Sequence, residues 1–462
     1  MAKTVAVDLH SVAGIAAQLR HGSVTAQDVV RASLARAAAV EPLNCVSQLL
    51  AAQAMAGALA CDTARLAGKA PLPLAGVPFV VKNLLDVQGH ATLAGALARA
   101  NEPPAASSAA VVQAWIAAGA IPVALTQMDE YACGATGENV IGGPVRNPLD
   151  PARIAGGSSA GTAAAIAAGI APIGIGSDTN GSIRAPASFC GIWGLRPTTG
   201  RIPAQGCFPY AESLDAVGPM ASDASGLALA YRAMQGAGPA TGQPMPAGGG
   251  AMAGLRVGIL QAGFGDFAQD EAQDAVLRVA SAFGSAHLID LPEADLARDA
   301  ASIISAFEVG RNHAQRGFAE RHPGYSAFVR RRMLAGLAIP EGWYQMAKAY
   351  QAVWRQKLEA LFDEVDLLLA CTTPYAAPLI GAEQIGGGRR IYVPRADAGH
   401  LTRPVSLAGL PVVAAPCAVD GMPFGVQLIG PTWHEARCLD AALFLEAQGL
   451  CRNARAGCNK LA

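Results

Sequence analysis

Charge and aromatic side chains are scarce in this chain. Of its 462 residues, 15% are Asp, Glu, Lys or Arg and 5% are Phe, Trp or Tyr. Apolar residues reach 52%, enough for a large buried core. The 34 basic and 35 acidic residues nearly cancel, which removes the footprint expected of a protein that binds nucleic acid or an anionic membrane. The basic run Arg330-Arg331-Arg332 reads as a solvated helix face or a local ion-pair cluster. Long apolar runs are missing too. No window of about 20 residues is apolar enough to span a bilayer, and the first residues have no signal-like apolar stretch, so a cytoplasmic protein is expected. The ten cysteines form no CxxC pair and read as reduced thiols used as small hydrophobes. No internal repeat occurs at solenoid spacing. Gly161 is followed by Thr162-Ala163, without the Gly-Lys-[Ser/Thr] ending of a phosphate loop, so no nucleotide cradle and no cofactor is implied.

What the sequence does have is a dense middle, Arg153 to Arg201. Two clusters, Gly156-Gly157-Ser158-Ser159 and Asn180-Gly181-Ser182, bracket an alanine-rich segment and a short apolar one. Ala163 to Ala168, with Gly169 as C-cap, reads as a helix. Ala171 to Gly176 reads as a strand, with Ser177 to Ile183 a tight loop beyond its end. One helix and one strand between two hydroxyl-bearing loops allow the loops to face each other, which is one way to bring a nucleophile to its activator.

A serine hydroxyl is scarcely ionised at neutral pH and needs that activator. Histidine is the usual one, but none lies between His90 and His287, so a Ser-His-Asp triad would have to recruit His90 or His400 through space. There is no GxSxG elbow around Ser182. Lysine is the other possibility. Phe79-Val80-Val81-Lys82 reads as a strand ending on a lysine. A lysine desolvated there has its ammonium form disfavoured, and its neutral amine can accept a proton. Locally, Lys82 can equally be a strand-end lysine reaching for water, and Ser158 and Ser182 ordinary turn serines. Asp129-Glu130 can be an acid/base or metal pair, with hydrogen bonding to loop amides the stronger reading.

Along the chain, Thr25 and Asp28 form a capping box for a helix to about Val40. A second helix covers about Ala51 to Leu66, and Ser108 opens a third that Gly119 closes before the strand Ile121 to Leu125. Strand and helix alternate up to Gly176, which predicts an α/β fold with a mixed, largely parallel central sheet covered by helices on both faces. Gly236 to Gly254 is rich in proline and glycine and reads as a surface loop. Ile303 to Phe362 reads as mostly helical, a place for a substrate-facing cap or a partner surface. Asp366 to Cys371, Val412 to Pro416 and Phe424 to Ile429 are late strands able to rejoin the sheet. The expectation is a single domain over 1–462, with a loop near 237–254 and a variable helical region near 295–400.

The combination of Lys82, Gly156 to Gly161 and Asp178-Thr179-Asn180-Gly181-Ser182-Ile183-Arg184 resembles the amidase signature family. Ala75 to Pro78, Met128 to Tyr131, Glu138-Asn139, Gly143-Pro144, Asn147-Pro148, Gly191 to Thr198, Gly409 to Pro411 and Gly421 to Leu428 extend the resemblance over nearly the whole chain. It implies a Ser-Ser-Lys triad: Ser182 as the acylated nucleophile, Ser158 bridging through an unusual cis peptide, and Lys82 as general base. It also implies an oxyanion hole from the backbone N–H groups around Thr179, Asn180 and Gly181, and no metal. Asn180 departs from the glycine that many members carry. Within the family, Ser177 to Ser182, Gly226 to Tyr231, Ala233 to Gly236, and Leu401-Thr402 with Pro404 are most similar to the branch that hydrolyses 1-carboxybiuret in cyanuric acid breakdown. The glutaminase subunits of tRNA-dependent amidotransferases come next, and a broad-specificity amidase is a further alternative. These likenesses imply a small amide substrate, a homodimer or heterotetramer, and a possible small helical partner subunit. For a substrate carboxylate, Arg184, Arg355 and Arg403 are the candidate partners.

Overall fold

The computed structural model describes residues 7–236, 252–387, 390–417 and 421–454. Its centre is a sheet of eleven strands. In chain order these are β1 Val46–Leu49, β2 Pro78–Lys82, β3 Ile121–Thr126, β4 Ile173–Asp178, β5 Trp193–Arg196, β6 Ala216–Ala221, β7 Arg256–Leu260, β8 Ser285–Ile289, β9 Leu367–Cys371, β10 Val412–Cys417 and β11 Phe424–Ile429. Across the sheet they run β1-β3-β2-β4-β6-β5-β10-β11-β9-β7-β8. The central strands are buried along their whole length, and helices pack against them.

The mixed sheet flanked by helices is as the sequence predicts, but the pairing is not largely parallel. Parallel pairs join β3 to β2, β2 to β4, β9 to β7 and β7 to β8, while the other six junctions are antiparallel. Strand and helix alternation misleads here because β6, arriving late in sequence, inserts antiparallel between β4 and β5. β10 and β11 are joined too closely for a crossover, which leaves them a hairpin.

Local chemistry explains the elements that hold the site. Thr25 and Asp28 form the expected capping box at the start of Ala26–Ala39. The helix Ala160–Ala167 is buried at every residue, and only small side chains let it lie so close to the sheet. A Cβ on Gly161 would stand 2.4 Å from the Cys45 carbonyl oxygen, and one on Gly174 of β4 would stand 2.7 Å from the Thr162 side chain. β2 and β4 are parallel neighbours, so their carboxyl ends, where Lys82 and Asp178 lie, emerge on one side of the sheet. Above that side, Ala294–Gln315 packs on Ala327–Leu337, Glu341–Ala360 and Arg403–Ala408. Most of the predicted glycine-rich loop, residues 237–251, lies outside the described residues.

Candidate active site

Lys82 ends β2 with a side chain that is 0% exposed. Its Nζ donates to Ser158 Oγ at 2.8 Å and to Ser177 Oγ at 2.9 Å. Burial pushes its pKa down to about 8, against the pull of the surrounding Cys207, Asp129, Asp178 and Asp215. The amine is therefore desolvated but held by two hydroxyls, as a base near neutrality requires. Ser158 sits at the head of the helix Ala160–Ala167, and the Gly157–Ser158 peptide is cis. Asp129 packs beneath it: a Cβ on Gly157 would stand 1.9 Å from Asp129 Oδ2, so glycine is required there.

Asp178 folds the loop that carries Ser182. Its carboxylate accepts the N–H groups of Gly181 at 2.8 Å and Ile183 at 3.2 Å, and Arg184 binds it through Nε and Nη2, each at 3.0 Å. Arg196 Nε stands 3.7 Å away. Burial would raise the Asp178 pKa, but the Arg184 and Arg196 charges and the loop amides hold it well below the carboxylate range. Gly181, at φ 119°, takes a conformation strained for any side chain, and a Cβ there would stand 2.1 Å from Thr402 Oγ1. The Ser159 N–H donates to the Ser182 carbonyl at 3.2 Å, tying the two serine loops together.

Gly157 and Ser182 face a common cavity of about 50 Å³ that opens to solvent and also meets Thr179, Asn180 and Gly181. The structure thus gathers Lys82 and Ser158 in one hydrogen-bonded pair and sets Ser182 and the three loop residues around the adjoining space. Gly181 N–H is already committed to Asp178. The Thr179 hydroxyl donates to Asp215 Oδ1, and burial pushes the Asp215 pKa up to about 6. Asn180 donates its side-chain amide to Ser305 Oγ at 3.3 Å, while its buried Oδ1 has no partner among the described residues.

The other candidates separate cleanly. Among the described residues no histidine lines this cavity: His90 contacts Gln48 and Gln53, and His400 stacks on Phe267. Asp129 accepts the Gly137 N–H at 3.2 Å and Glu130 the Ser326 N–H at 3.0 Å, both loop amides. Among the described residues no His, Cys, Asp and Glu side chains gather to hold a metal ion. Arg184 is engaged with Asp178 and also donates to Gln427 Oε1 at 2.6 Å, and Arg355 donates to the Ala408 carbonyl at 2.8 Å. Only Arg403 of the three arginines reaches the cavity, joined there by Arg332 and Arg395. Sequence reasoning missed Ser177, Arg332 and Arg395. Ser177 had a signal, a hydroxyl beside Asp178 at a strand end; the other two are brought in by tertiary packing alone.

The family model described as Amidase matches residues 28–439. AtzE of Pseudomonas sp. (strain ADP), a component of 1-carboxybiuret hydrolase, is 43% identical over 443 residues, covering 93% of this chain and 97% of that one. A glutamyl-tRNA(Gln) amidotransferase subunit from Deinococcus radiodurans is 35% identical over 480 residues, covering 95% and 97%. Among solved structures, one described as a vestigial protein complex revealing the origins of an s-triazine catabolic enzyme, inhibitor-bound, superposes with a TM-score of 0.92. It is 42% identical and covers 96% of this chain and 99% of its own. A crystal structure of an amidase gives 0.87 at 32% identity, covering 95% and 99%.

Proposed function

Since the chain belongs to the amidase family, whose members hydrolyse C–N amide bonds, we propose that it releases ammonia from a small carboxylated ureide through an acyl-enzyme on Ser182. The best candidate substrate is 1-carboxybiuret. The observation that supports the chemistry most is the buried Lys82 amine bonded to Ser158 beside the cavity that Ser182 faces. In this reading Ser182 Oγ attacks the carbonyl carbon while its proton passes through Ser158 to Lys82. The oxyanion turns to the loop N–H groups; with Gly181 N–H donated to Asp178, those of Thr179 and Asn180 are the ones available. Collapse breaks the C–N bond, and the relay returns the proton to the departing nitrogen. Water then adds to the acyl carbon, gives its proton to the same relay, and Ser182 leaves with its hydroxyl restored.

The substrate class is supported by the relative at 43% identity. The relatives are themselves named as subunits, which supports a partner chain for this one. The test is ammonia release from freshly prepared 1-carboxybiuret, beside biuret, glutamine and simple aliphatic amides. Rapid release from the carboxylated ureide alone is expected. Release from glutamine alone would instead place the chain with the amidotransferase subunits, and weak release from every amide would make it a general amidase.

A further inference from the structure

Cys417 and Cys451 meet at the edge of the sheet opposite the Ser182 loop. β6 runs antiparallel to both β4 and β5, and β10 runs antiparallel to β5. β10 therefore points against β4, and its last residue, Cys417, lies at the far edge. β5 pairs with β10 only at Val412, Val413 and Ala414. Beyond them the freed side of β10 is taken by the terminal segment, where Cys451 forms an antiparallel bridge with Cys417. The Arg452 N–H donates to the Pro416 carbonyl at 3.1 Å. That bond lies one residue outside the bridge on each strand, so Cys417 and Cys451 are a non-hydrogen-bonded pair. Such pairs bring opposed Cα atoms to about 4.5 Å and hold their side chains closest. Disulfides span Cα separations of roughly 4.4–6.8 Å. Both residues are 0% exposed and carry free thiols. The Cys451 thiol donates to the Cys417 sulfur, which draws Cys417 below the ordinary thiol range and pushes Cys451 above it. Among the described residues no other two cysteines are opposed in a strand pair.

We propose that Cys417 and Cys451 form a reversible disulfide that staples the terminal segment to β10 and over the end of the helix that follows Ser182. Past its own helix, and among the described residues, that segment is held by two backbone bonds: Arg452 on Pro416, and the Ala454 N–H on the Gly191 carbonyl at 3.0 Å. Gly191 is the C-cap of the helix Arg184–Cys190, and a Cβ on it would stand 2.6 Å from the Ala454 side chain. The strap thus lies directly over the end of that helix. A segment with so few bonds opens more readily than the core, and opening gives small oxidants access to thiols that are buried when it is closed. With a low-molecular-weight disulfide such as oxidised glutathione, the Cys417 thiolate attacks one sulfur, breaks that S–S bond and releases one glutathione thiolate. The Cys451 thiol then loses its proton, and its sulfur displaces the second glutathione to form the Cys417–Cys451 bond. Two electrons pass from the protein thiols to the glutathione, which leaves as two thiols. Reduced glutathione in excess runs the same steps backwards.

The full chain is equilibrated overnight in buffers of oxidised and reduced glutathione, quenched with acid, alkylated in denaturant and digested without reduction for mass spectrometry. In the oxidising buffer the expected product is a cross-linked peptide joining Cys417 to Cys451, lighter by two hydrogens than the separate thiol peptides. Reduced glutathione should remove it, and Cys417→Ala and Cys451→Ala should each lack it. Amide hydrogen exchange over residues 451–454 should slow about tenfold on oxidation of the wild type and stay unchanged in either variant. The wild type carries the decisive readout, so a variant that folds poorly does not obscure it. Recovery of both cysteines alkylated from the oxidising buffer overturns the proposal. So does a glutathione adduct on one of them with the other left free, or a cross-link from either to a different cysteine.

Discussion

At the residue scale, the protein invests in one lysine. An ammonium group fully removed from water is costly, and Lys82 is buried with only hydroxyls for hydrogen-bond partners. Its burial-lowered pKa of about 8 sets a pH dependence. In the proposed mechanism the neutral amine is the base, so kcat/KM should rise about tenfold per pH unit below 8 and level off above it. The buried Asp129, also pushed to about 6 by burial, lies close enough to add an inflection below the main one. A pH–rate profile checks this, and a flat profile from pH 6 to 9 would remove Lys82 as the base. Replacing Lys82 by Ala should lower turnover by about two to four orders of magnitude. Lys82 was legible only in combination: a lysine ending an apolar strand can as well reach for water, and it was the two serine clusters beside it that singled it out. Its second partner, Ser177, was not, since which hydroxyl a lysine meets depends on strand neighbours.

At the scale of elements, the decisive unit is β4 with its loop and the helix Arg184–Cys190. Asp178 binds two loop amides and two arginines, all buried, and so fixes the loop against both the sheet and the helix. Asp178→Asn keeps the shape but leaves Arg184 and Arg196 charged in the core. Removing one partner of a buried pair costs about 3–5 kcal/mol, so the urea midpoint should fall steeply or the chain fail to fold. A midpoint near that of the wild type would show that the carboxylate is not what organises the loop. Helices and strands of this half were readable because capping residues, alanine periodicity and β-branched runs are local signals, as Thr25-Asp28 and Ala51–Leu66 show. Strand direction was less readable, because the antiparallel entry of β6 beside β4 is a choice made over about forty residues of intervening chain.

At the scale of the whole molecule, the sheet divides the labour. The carboxyl ends of β2 and β4 carry Lys82, Asp178 and the Ser182 loop, while the helical region between β8 and β10 roofs the cavity. Ser305 of that roof reaches Asn180, and Arg332 faces the same space. The run Arg330-Arg331-Arg332 gave no local hint of this, because one member of a basic run turns inward only through helix packing. Arg332, which the sequence offers only as part of a basic run, faces the cavity from this helical region.

The central claim is an acyl-enzyme on Ser182, and serine-directed phosphonate labelling followed by peptide mass spectrometry tests it most directly. One adduct on the peptide containing Ser182 is predicted, formed in step with loss of turnover and absent from Ser182→Ala, which should itself be inactive. An adduct on a different serine, or near-wild-type turnover by Ser182→Ala, would contradict it.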